Sequence, residues 1–423
     1  MTAAAFSTLF LAAVALALAL ETWLALRHVA CVRAHREAVP QAFAGRIGVE
    51  AHRRAADYTI AHTRLSIAAS VASAVVVVAL TLGGGLERFA DATGRIPAGP
   101  LAQDLALGVA VVVAFAAVSL PFSAWRTFVV EARFGFNRTS LATWLADFAK
   151  GTLVAAVLGA PLFAAVVALM GAAGALWWIA AWAVWTGFQF LVAWAWPTFI
   201  APLFNRFTPL PEGPMRTRIE ALVARCGFTS GGLFLMDGSK RSSHGNAYFT
   251  GLGRAKRIVL FDTLSQRLSL DETEAVLAHE LGHFKLRHIA KRLAWSAAAS
   301  LAVFALLAWL AASPWFWEGL GVAFRPGRDG IALVLFALAL PSFTFLLAPL
   351  SSWYSRRHEY EADAFAASHA SGRAMVSALV RLYEDNAATL TPDPLHSAFY
   401  DSHPPAALRV ARLEALLAAP AAA

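Results

Sequence analysis

Two histidines four positions apart, with a glutamate directly after the first, are the clearest chemical signal in this sequence. His279 and His283 lie in the segment LAHELGHFKLRH. On a helix this spacing places both imidazoles on one face, one turn apart, where they can bind the same metal ion. Glu280 can reach a water on that ion without being a ligand. Zinc lowers the pKa of such a water to about 7, so the spacing indicates zinc-dependent hydrolysis with Glu280 as the base.

The same spacing also occurs on solvated helix faces that bind nothing, and this alternative stays open on spacing alone. Two features favour the metal. Gly282 lies between the histidines and allows another element to approach the helix closely. Catalytic zinc usually takes three protein ligands and leaves a fourth position for water, and the sequence offers a third candidate downstream.

That candidate lies in the segment SRRHEYEADAFA, where Glu359 and Asp363 are four positions apart on a predicted helix. Glu359 completes a set of two histidines and one glutamate. Asp363 is placed to accept the free ring N–H of a ligand histidine and fix its tautomer. Read alone, the segment is equally typical of a charged helix at a membrane surface. We interpret Glu361, which turns away from Glu359, and the nearby His288 and His358 as non-ligands.

The elements around the histidine pair are readable from local patterns. SLDETEAVLAHELGHFKLRH has the apolar spacing of a helix, and its start is a capping box made by Ser269 with Glu272 or by Asp271 with Glu274. The preceding segment, NAYFTGLGRAKRIVLFDTL, reads as a β-hairpin around a glycine-rich turn. The metal helix is therefore predicted to follow a short sheet.

The rest of the chain is a membrane protein by composition. It has 423 residues, of which 58% are hydrophobic and only 15% charged. About 20 helical residues cross the ~30 Å hydrocarbon layer, and seven apolar runs approach that length. The predicted spans are Ala3–Leu26, Leu65–Leu82, Leu105–Phe122, Thr152–Met170, Ala175–Trp196, Leu293–Ala312 and Ile331–Leu347.

The positive charges predict an orientation. All 35 Lys and Arg residues lie outside the seven runs, 31 of them on one side and 4 on the other. Basic loops favour the cytoplasm, so the N-terminus is predicted outside and the metal helix inside. The first run could instead be a cleaved signal peptide, but it lacks a basic start and its arginines follow it, which favours an anchor. Topology explains the net charge of +8, so no nucleic-acid partner is expected.

Four regions follow from these boundaries. Residues 1–196 form an N-terminal membrane region with five spans, 197–292 a cytoplasmic metalloprotease region, 293–350 a membrane hairpin, and 351–423 the C-terminal part of the protease domain. The hairpin returns the second polar region to the face of the first, so the two can build one domain. Cys31 and Cys226 both fall on the predicted cytoplasmic side, where a disulfide would not persist.

Six motifs in order along the chain resemble one family, the type I CAAX prenyl endoproteases, which are seven-span zinc metalloproteases. The matching segments are EARFGFNRTSLATWLADFAK, IAPLFNRFTPLPEG, SSHGNAYFTGLGRAKRIVLFDTL, LAHELGHFKLRH, RRHEYEADAFA and DSHPPAALRVARL. The resemblance implies a mainly α membrane protein, with seven transmembrane helices enclosing a water-filled chamber and a zincin-like α+β metalloprotease domain on the cytoplasmic side. Polar backbone is tolerable at that depth where it borders protein or water.

The resemblance also implies roles for residues. It makes Glu359 the third ligand of one zinc ion and places His403 and Arg409 close to it, where they stabilise the substrate carbonyl as charge builds on its oxygen. Without the resemblance, the segment around His403 reads only as a helix start. The HxNAYF motif lies along the family's active-site cleft, where a substrate pairs as an added β-strand. The implied substrate-binding residues here are Asn246, Ala247 and Tyr248.

The substrate is left open by the sequence. Eukaryotic members of the family cut prenylated C-terminal tails, whereas the many Ala and Arg residues here suggest a bacterial gene and an inner-membrane location. The expected partners are a peptide or protein substrate, with or without a lipid, and membrane lipid. One alternative is a quality-control protease with unprenylated substrates. Another is a channel, transporter or scaffold with a structural zinc, which the lack of Lys and Arg in the spans disfavours.

Overall fold

The computed structural model describes residues 1–228, 231–250 and 257–418. The glycine-rich turn of the predicted hairpin, at 251–256, and the alanine-rich end, at 419–423, therefore lie outside the described residues. Helices dominate the described chain. They are α1 (Ala3–Ala34), α2 (Val49–Leu80), α3 (Gly85–Gly94), α4 (Pro100–Trp125), α5 (Leu141–Ala172), α6 (Trp177–Ala195), α7 (Ala201–Phe204), α8 (Pro214–Arg225), α9 (Asp262–Ser265), α10 (Leu270–Lys285), α11 (His288–Ala311), α12 (Pro314–Gly319), α13 (Asp329–Thr344), α14 (Ala348–His369), α15 (Gly372–Asp385), α16 (Pro394–Tyr400) and α17 (Ala406–Ala418). The strands are β1 (Phe207–Pro209), β2 (Leu233–Met236), β3 (Ala247–Thr250) and β4 (Arg257–Phe261).

In the described part of the chain, seven helical segments are long and apolar enough to cross a membrane, and each contains most or all of one predicted run. They are Ala3–Ala34, Val49–Leu80, Pro100–Glu131, Leu141–Ala172, Gly174–Phe204, His288–Ala311 and Asp329–His369. Several have 32 residues, which is about 48 Å of helix and longer than the ~30 Å hydrocarbon layer. The spans therefore continue beyond the lipid, and the last one, Asp329–His369, includes α14. The prediction of a seven-span, mainly helical membrane protein is confirmed.

Within the described residues, a four-stranded sheet lies beside α10. Its strand order is β1-β2-β4-β3. β2 and β4 run parallel, while β1 with β2 and β3 with β4 are antiparallel. Tyr248 pairs with Val259, so β3 and β4 are the two arms of the predicted hairpin. β3 is an edge strand, and α10 packs against it.

One apolar core joins the polar regions that the last two spans separate in sequence. Leu277 and Leu281 of α10 are fully buried in it, together with Val410 of α17. Phe43, from the loop after the first span, belongs to the same core. The two polar regions and the loop after the first span therefore share one hydrophobic core.

The start of α10 is fixed by its own sequence. Ser269 accepts a hydrogen bond from the backbone of Glu272, and the Glu272 side chain accepts one from the backbone of Ser269. The first of the two predicted capping boxes is therefore the one that forms. It satisfies two backbone donors that the first turn leaves unpaired, which fixes where the metal helix begins.

Candidate metal centre

Three side chains from two helices converge at one buried point. α10 presents His279 and His283, and α14 presents Glu359. The two histidine Nε2 atoms are 3.2 Å apart. Glu359 Oε2 lies 3.4 Å from His279 Nε2, and Glu359 Oε1 lies 3.2 Å from His283 Nε2. Ligands about 2.0–2.1 Å from a tetrahedral zinc ion are about 3.3–3.4 Å apart, so these atoms have the spacing of one coordination shell.

The donor set fits a cation on a second, independent ground. Glu359 is buried, and its Oε2 atom has no hydrogen-bond partner. An unsatisfied buried carboxylate oxygen is costly, whereas a bound cation would compensate its charge directly. The arrangement therefore suits a divalent metal held by two imidazoles and one carboxylate.

The electrostatics of His279 also favour positive charge at this point. Burial lowers the pKa of this imidazole, but the hydrogen bond to Asp363 and the neighbouring Glu359 carboxylate outweigh burial and raise it to about 9. The pocket thus stabilises a cation in the place that a metal would take. Metal ligands must be deprotonated, so a metal ion held here would compete with that proton.

The close approach that Gly282 was expected to allow is present. A Cβ built at Gly282 would lie 3.0 Å from the Cβ of Phe365 and 3.1 Å from the Cα of Ala362, both on α14. The missing side chain lets the backbones of α10 and α14 come together between the histidine pair and Glu359.

Asp363 lies one turn beyond Glu359 and contacts the outer side of a proposed ligand. His279 Nδ1 donates to Asp363 Oδ1 at 2.9 Å. Arg409 of α17 donates to the same carboxylate through Nε at 2.9 Å and Nη2 at 2.6 Å. This bidentate Arg409–Asp363 pair is buried. Arg409 holds the Asp363 carboxylate in place, and the carboxylate in turn orients the His279 imidazole.

This contact bears on the role that the resemblance implies for Arg409. Two of its nitrogens are bound to Asp363, and Nη1 lies 4.0 Å from Glu359 Oε2. The guanidinium therefore borders the metal site through one nitrogen while the others hold Asp363.

His403 lies at the mouth of the site, in the loop before α17. Its Nε2 atom is 3.4 Å from Glu359 Oε2, and the side chain is 60% exposed. Its Nδ1 atom lies 3.1 Å from the Ser402 hydroxyl. An exposed imidazole beside the site can meet an incoming substrate.

Glu280 follows the first histidine on α10. Burial raises the pKa of its carboxyl, although the two neighbouring imidazoles oppose that rise. A carboxylate with a raised pKa accepts a proton more readily, which suits a general base near neutral pH.

The predicted substrate-binding residues lie where β3 begins: Asn246 precedes the strand, and Ala247 and Tyr248 are its first two residues. Asn246 is exposed, Ala247 is buried and Tyr248 is half-buried. The Asn246 carbonyl accepts a hydrogen bond from Phe261 at 3.0 Å, and the Ala247 N–H donates to the Asn246 side chain at 2.8 Å. Because hydrogen bonds alternate along an antiparallel pair, the backbone groups of Ala247 face the open edge of the sheet.

Two contacts of this site were not foreseen from the sequence. His283 Nδ1 faces His288 Nδ1 at 2.9 Å, and His288 Nε2 lies 3.0 Å from Glu361 Oε2. On an uninterrupted helix His288 would be five positions beyond His283 and off its face. Arg287 has a left-handed φ of 57°, which separates α10 from α11 and brings His288 back to its neighbour. A bend at a non-glycine residue leaves no clear signal in sequence.

Comparisons with known proteins agree with this architecture over nearly the whole chain. Residues 28–206 match the family described as CAAX prenyl protease N-terminal, five membrane helices, and residues 209–417 match peptidase family M48. The chain is 32% identical to a CAAX prenyl protease 1 homolog of Arabidopsis thaliana over 93% of its length and 94% of the relative. It is 38% identical to a CAAX prenyl protease 1 homolog of Oryza sativa, covering 70% of this chain and 69% of that one. The crystal structure of Ste24p from S. mikatae matches with a TM-score of 0.90 and 28% identity, over 97% of this chain and 99% of that one.

Proposed function

The chain belongs to peptidase family M48 and is a multi-pass membrane metalloendopeptidase of the CAAX prenyl protease type, and on this premise we propose that it binds one zinc ion through His279, His283 and Glu359. The single observation that carries the zinc site is the triangle of ligand atoms 3.2–3.4 Å apart, which includes a buried oxygen with no hydrogen-bond partner.

Each neighbouring residue has a distinct task in peptide hydrolysis. Zinc, when bound, supplies Lewis acidity and lowers the pKa of a bound water to about 7. The Glu280 carboxylate takes a proton from the attacking water and delivers it to the leaving amine. Asp363 holds His279 with its Nε2 atom free to bind, and Arg409 holds Asp363. His403 donates to the substrate carbonyl oxygen as negative charge develops there.

The substrate backbone is positioned by the edge of the sheet. An extended peptide can add to β3 as a further antiparallel or parallel strand. The Ala247 N–H that now donates to the Asn246 side chain would then donate to a substrate carbonyl. Asn246 is exposed and free to turn its amide to the peptide, and Tyr248 flanks the same edge. This arrangement favours substrates with an extended segment. Because the contacts are to the substrate backbone, they impose little preference for its side chains.

The relatives named CAAX prenyl protease 1 homolog support a lipidated C-terminal segment as one substrate class. The competing class is an unprenylated membrane peptide. The placement of 31 of 35 basic residues on one side supports a catalytic domain in the cytoplasm and an N-terminus outside, and the Ala- and Arg-rich composition supports a bacterial inner membrane.

The test compares purified wild type with Glu280→Gln, with Glu220→Gln as a matched control on the exposed face of α8. Zinc content is measured, together with cleavage of a farnesylated peptide and its unprenylated counterpart. We expect zinc in all three proteins and a loss of cleavage of about 10²-fold or more in Glu280→Gln alone. Equal activity in Glu280→Gln would exclude that residue as the base. Equal cleavage of the two peptides would show that the lipid does not contribute to recognition.

A further inference from the structure

A chain of polar contacts leads from one proposed ligand towards the protein surface. His283 Nδ1 and His288 Nδ1 are 2.9 Å apart, and His288 Nε2 is 3.0 Å from Glu361 Oε2. The His288 side chain is fully buried, while that of Glu361 is 34% exposed. The second ligand thus differs from the first, since His279 contacts a carboxylate directly and His283 contacts one through a second imidazole.

The geometry determines which ring nitrogens of His283 and His288 carry a proton. His283 Nε2 faces the other ligand atoms, so with a metal bound there the ring proton of the neutral imidazole must be on Nδ1. That N–H donates to His288 Nδ1, which must then be unprotonated because two N–H groups cannot face each other at this distance. The remaining proton of His288 is on Nε2 and donates to Glu361. Every ring nitrogen therefore has one defined role.

A second metal ion is the rival explanation, since His288, His358 and Glu361 offer ligand atoms within 4.8 Å of one another. The ring orientations argue against it. The His288 and His358 rings are stacked, with centroids 4.0 Å apart and planes only 8° from parallel. Imidazole lone pairs lie in the ring plane, so two parallel rings direct them along parallel lines rather than at one ion. The stack instead keeps the His288 ring in the plane that the hydrogen bonds require.

We propose that His288 and Glu361 are positioning residues for the zinc ligand His283, an inference that rests on the proposed function. The pair fixes the tautomer and the direction of the ring and increases its basicity. Through His288, the carboxylate of Glu361 orients His283 indirectly. The Asp363–Arg409 pair does the same for His279 by direct contact.

The experiment measures zinc affinity in the full-length protein in detergent, by competition with a chromophoric chelator. His288→Phe fills the buried volume without an acceptor, and His288→Asn restores an acceptor near the position of Nδ1. Glu361→Ala removes the carboxylate at the surface, where folding is not at risk. Arg357→Gln is the matched control, because Arg357 pairs with Glu361 at 3.2 Å but touches neither imidazole. His358→Phe keeps the ring stack.

We expect zinc to bind about 10–100-fold more weakly in His288→Phe and to recover in part in His288→Asn. Glu361→Ala should weaken zinc binding less, whereas Arg357→Gln and His358→Phe should bind as wild type does. The absorption bands of the cobalt-substituted protein should shift in His288→Phe and return in His288→Asn. If His288 acted only by packing, the absorption bands would not shift in His288→Phe, and His288→Asn would not restore zinc affinity.

Three results would overturn the inference or its premise, and they are distinguishable. Unchanged zinc affinity in both His288→Phe and Glu361→Ala would exclude the positioning role while leaving the proposed function intact. Two zinc ions per wild-type chain, with one lost in His358→Phe, would assign a second metal site instead. Wild type without zinc would contradict the proposed function itself.

Discussion

Gly282 of α10 lies so close to Ala362 of α14 that a Cβ at the glycine would be 3.1 Å from the Ala362 Cα. The contact is between backbones, and it occurs between the two helices that carry all three proposed zinc ligands. Glu359 and Asp363 flank Ala362 along α14, so the separation of the helices sets the separation of the ligands. We therefore expect the size of the side chain at position 282 to affect the spacing of the proposed ligands.

Substituting Gly282→Ala should weaken zinc binding by about tenfold and lower the thermal stability. The added methyl group meets backbone atoms that cannot turn aside, and overpacking of this kind typically costs about 1–3 kcal/mol. Gly159→Ala in α5 is the matched control, because a Cβ there meets nothing within 4 Å and should be neutral or stabilising. Zinc affinity equal to wild type in Gly282→Ala would show that helix separation does not set the ligand geometry.

Substituting Arg409→Lys should weaken zinc binding and destabilise the fold. Lysine replaces the two parallel hydrogen bonds to Asp363 by one, so His279 loses its fixed partner. Breaking a buried pair typically costs about 3–5 kcal/mol, and a conservative change that keeps the charge should cost less. Chelator competition and thermal melts measure both effects. If Arg409 acted on the substrate alone, the turnover rate would fall while zinc affinity and stability stayed unchanged.

Removing the exposed imidazole with His403→Ala should lower kcat by about 10²–10³-fold and leave zinc binding and stability near their wild-type values. A donor to the developing oxyanion acts in the transition state, and removing one such group has an effect of this size. Ser402→Ala removes only the hydroxyl beside His403 and serves as its control. Loss of zinc together with activity in His403→Ala would identify His403 as a ligand.

The contact between α8 and α10 should weaken as the pH falls. Burial raises the pKa of Glu274, but hydrogen bonds from Arg225 and Arg218 outweigh burial and hold it below its ordinary value. A depressed folded-state pKa stabilises the protein fully above the unfolded pKa, about 4.3, and the stabilisation is lost as pH falls through the folded value. At pH 7 the free energy of unfolding of Glu274→Gln should therefore be about 1 kcal/mol below that of wild type, and its melting temperature should be lower. The difference should shrink towards pH 3.

The control for this pH effect is Glu220→Gln, which removes an exposed carboxylate that pairs with Arg216 on the same helix. It should change the melting temperature little at either pH. A stability difference between wild type and Glu274→Gln that stays constant from pH 7 to pH 3 would show that the carboxylate charge does not hold α8 to α10.

The sequence predicts those parts of the molecule that depend on local patterns. Seven spans follow from the lengths of apolar runs, and the start of α10 follows from Ser269 and Glu272, three positions apart. Predicting Glu359 as a ligand beside the histidine pair needed the coordination number of zinc and the family resemblance, because α14 is distant in sequence from α10. The structure brings all the predicted site residues of α10, α14 and α17 to one region.

The remaining contacts depend on directions that a sequence does not carry. Arg409 binds Asp363 because α17 crosses α14 at one angle, and no spacing encodes that angle. His288 reaches His283 because Arg287 adopts a left-handed conformation that non-glycine residues seldom take. A continuous helix, which the sequence pattern favours, would have directed His288 elsewhere.

The central claim is that one zinc ion is bound by the two histidines of α10 and the glutamate of α14. Anomalous diffraction on crystals of the zinc-loaded protein, collected on both sides of the zinc absorption edge, tests it most directly. We predict one anomalous peak per chain, about 2.0–2.2 Å from His279 Nε2, His283 Nε2 and a Glu359 carboxylate oxygen. A chain with no peak between these three residues, or with its peak elsewhere, would contradict the account.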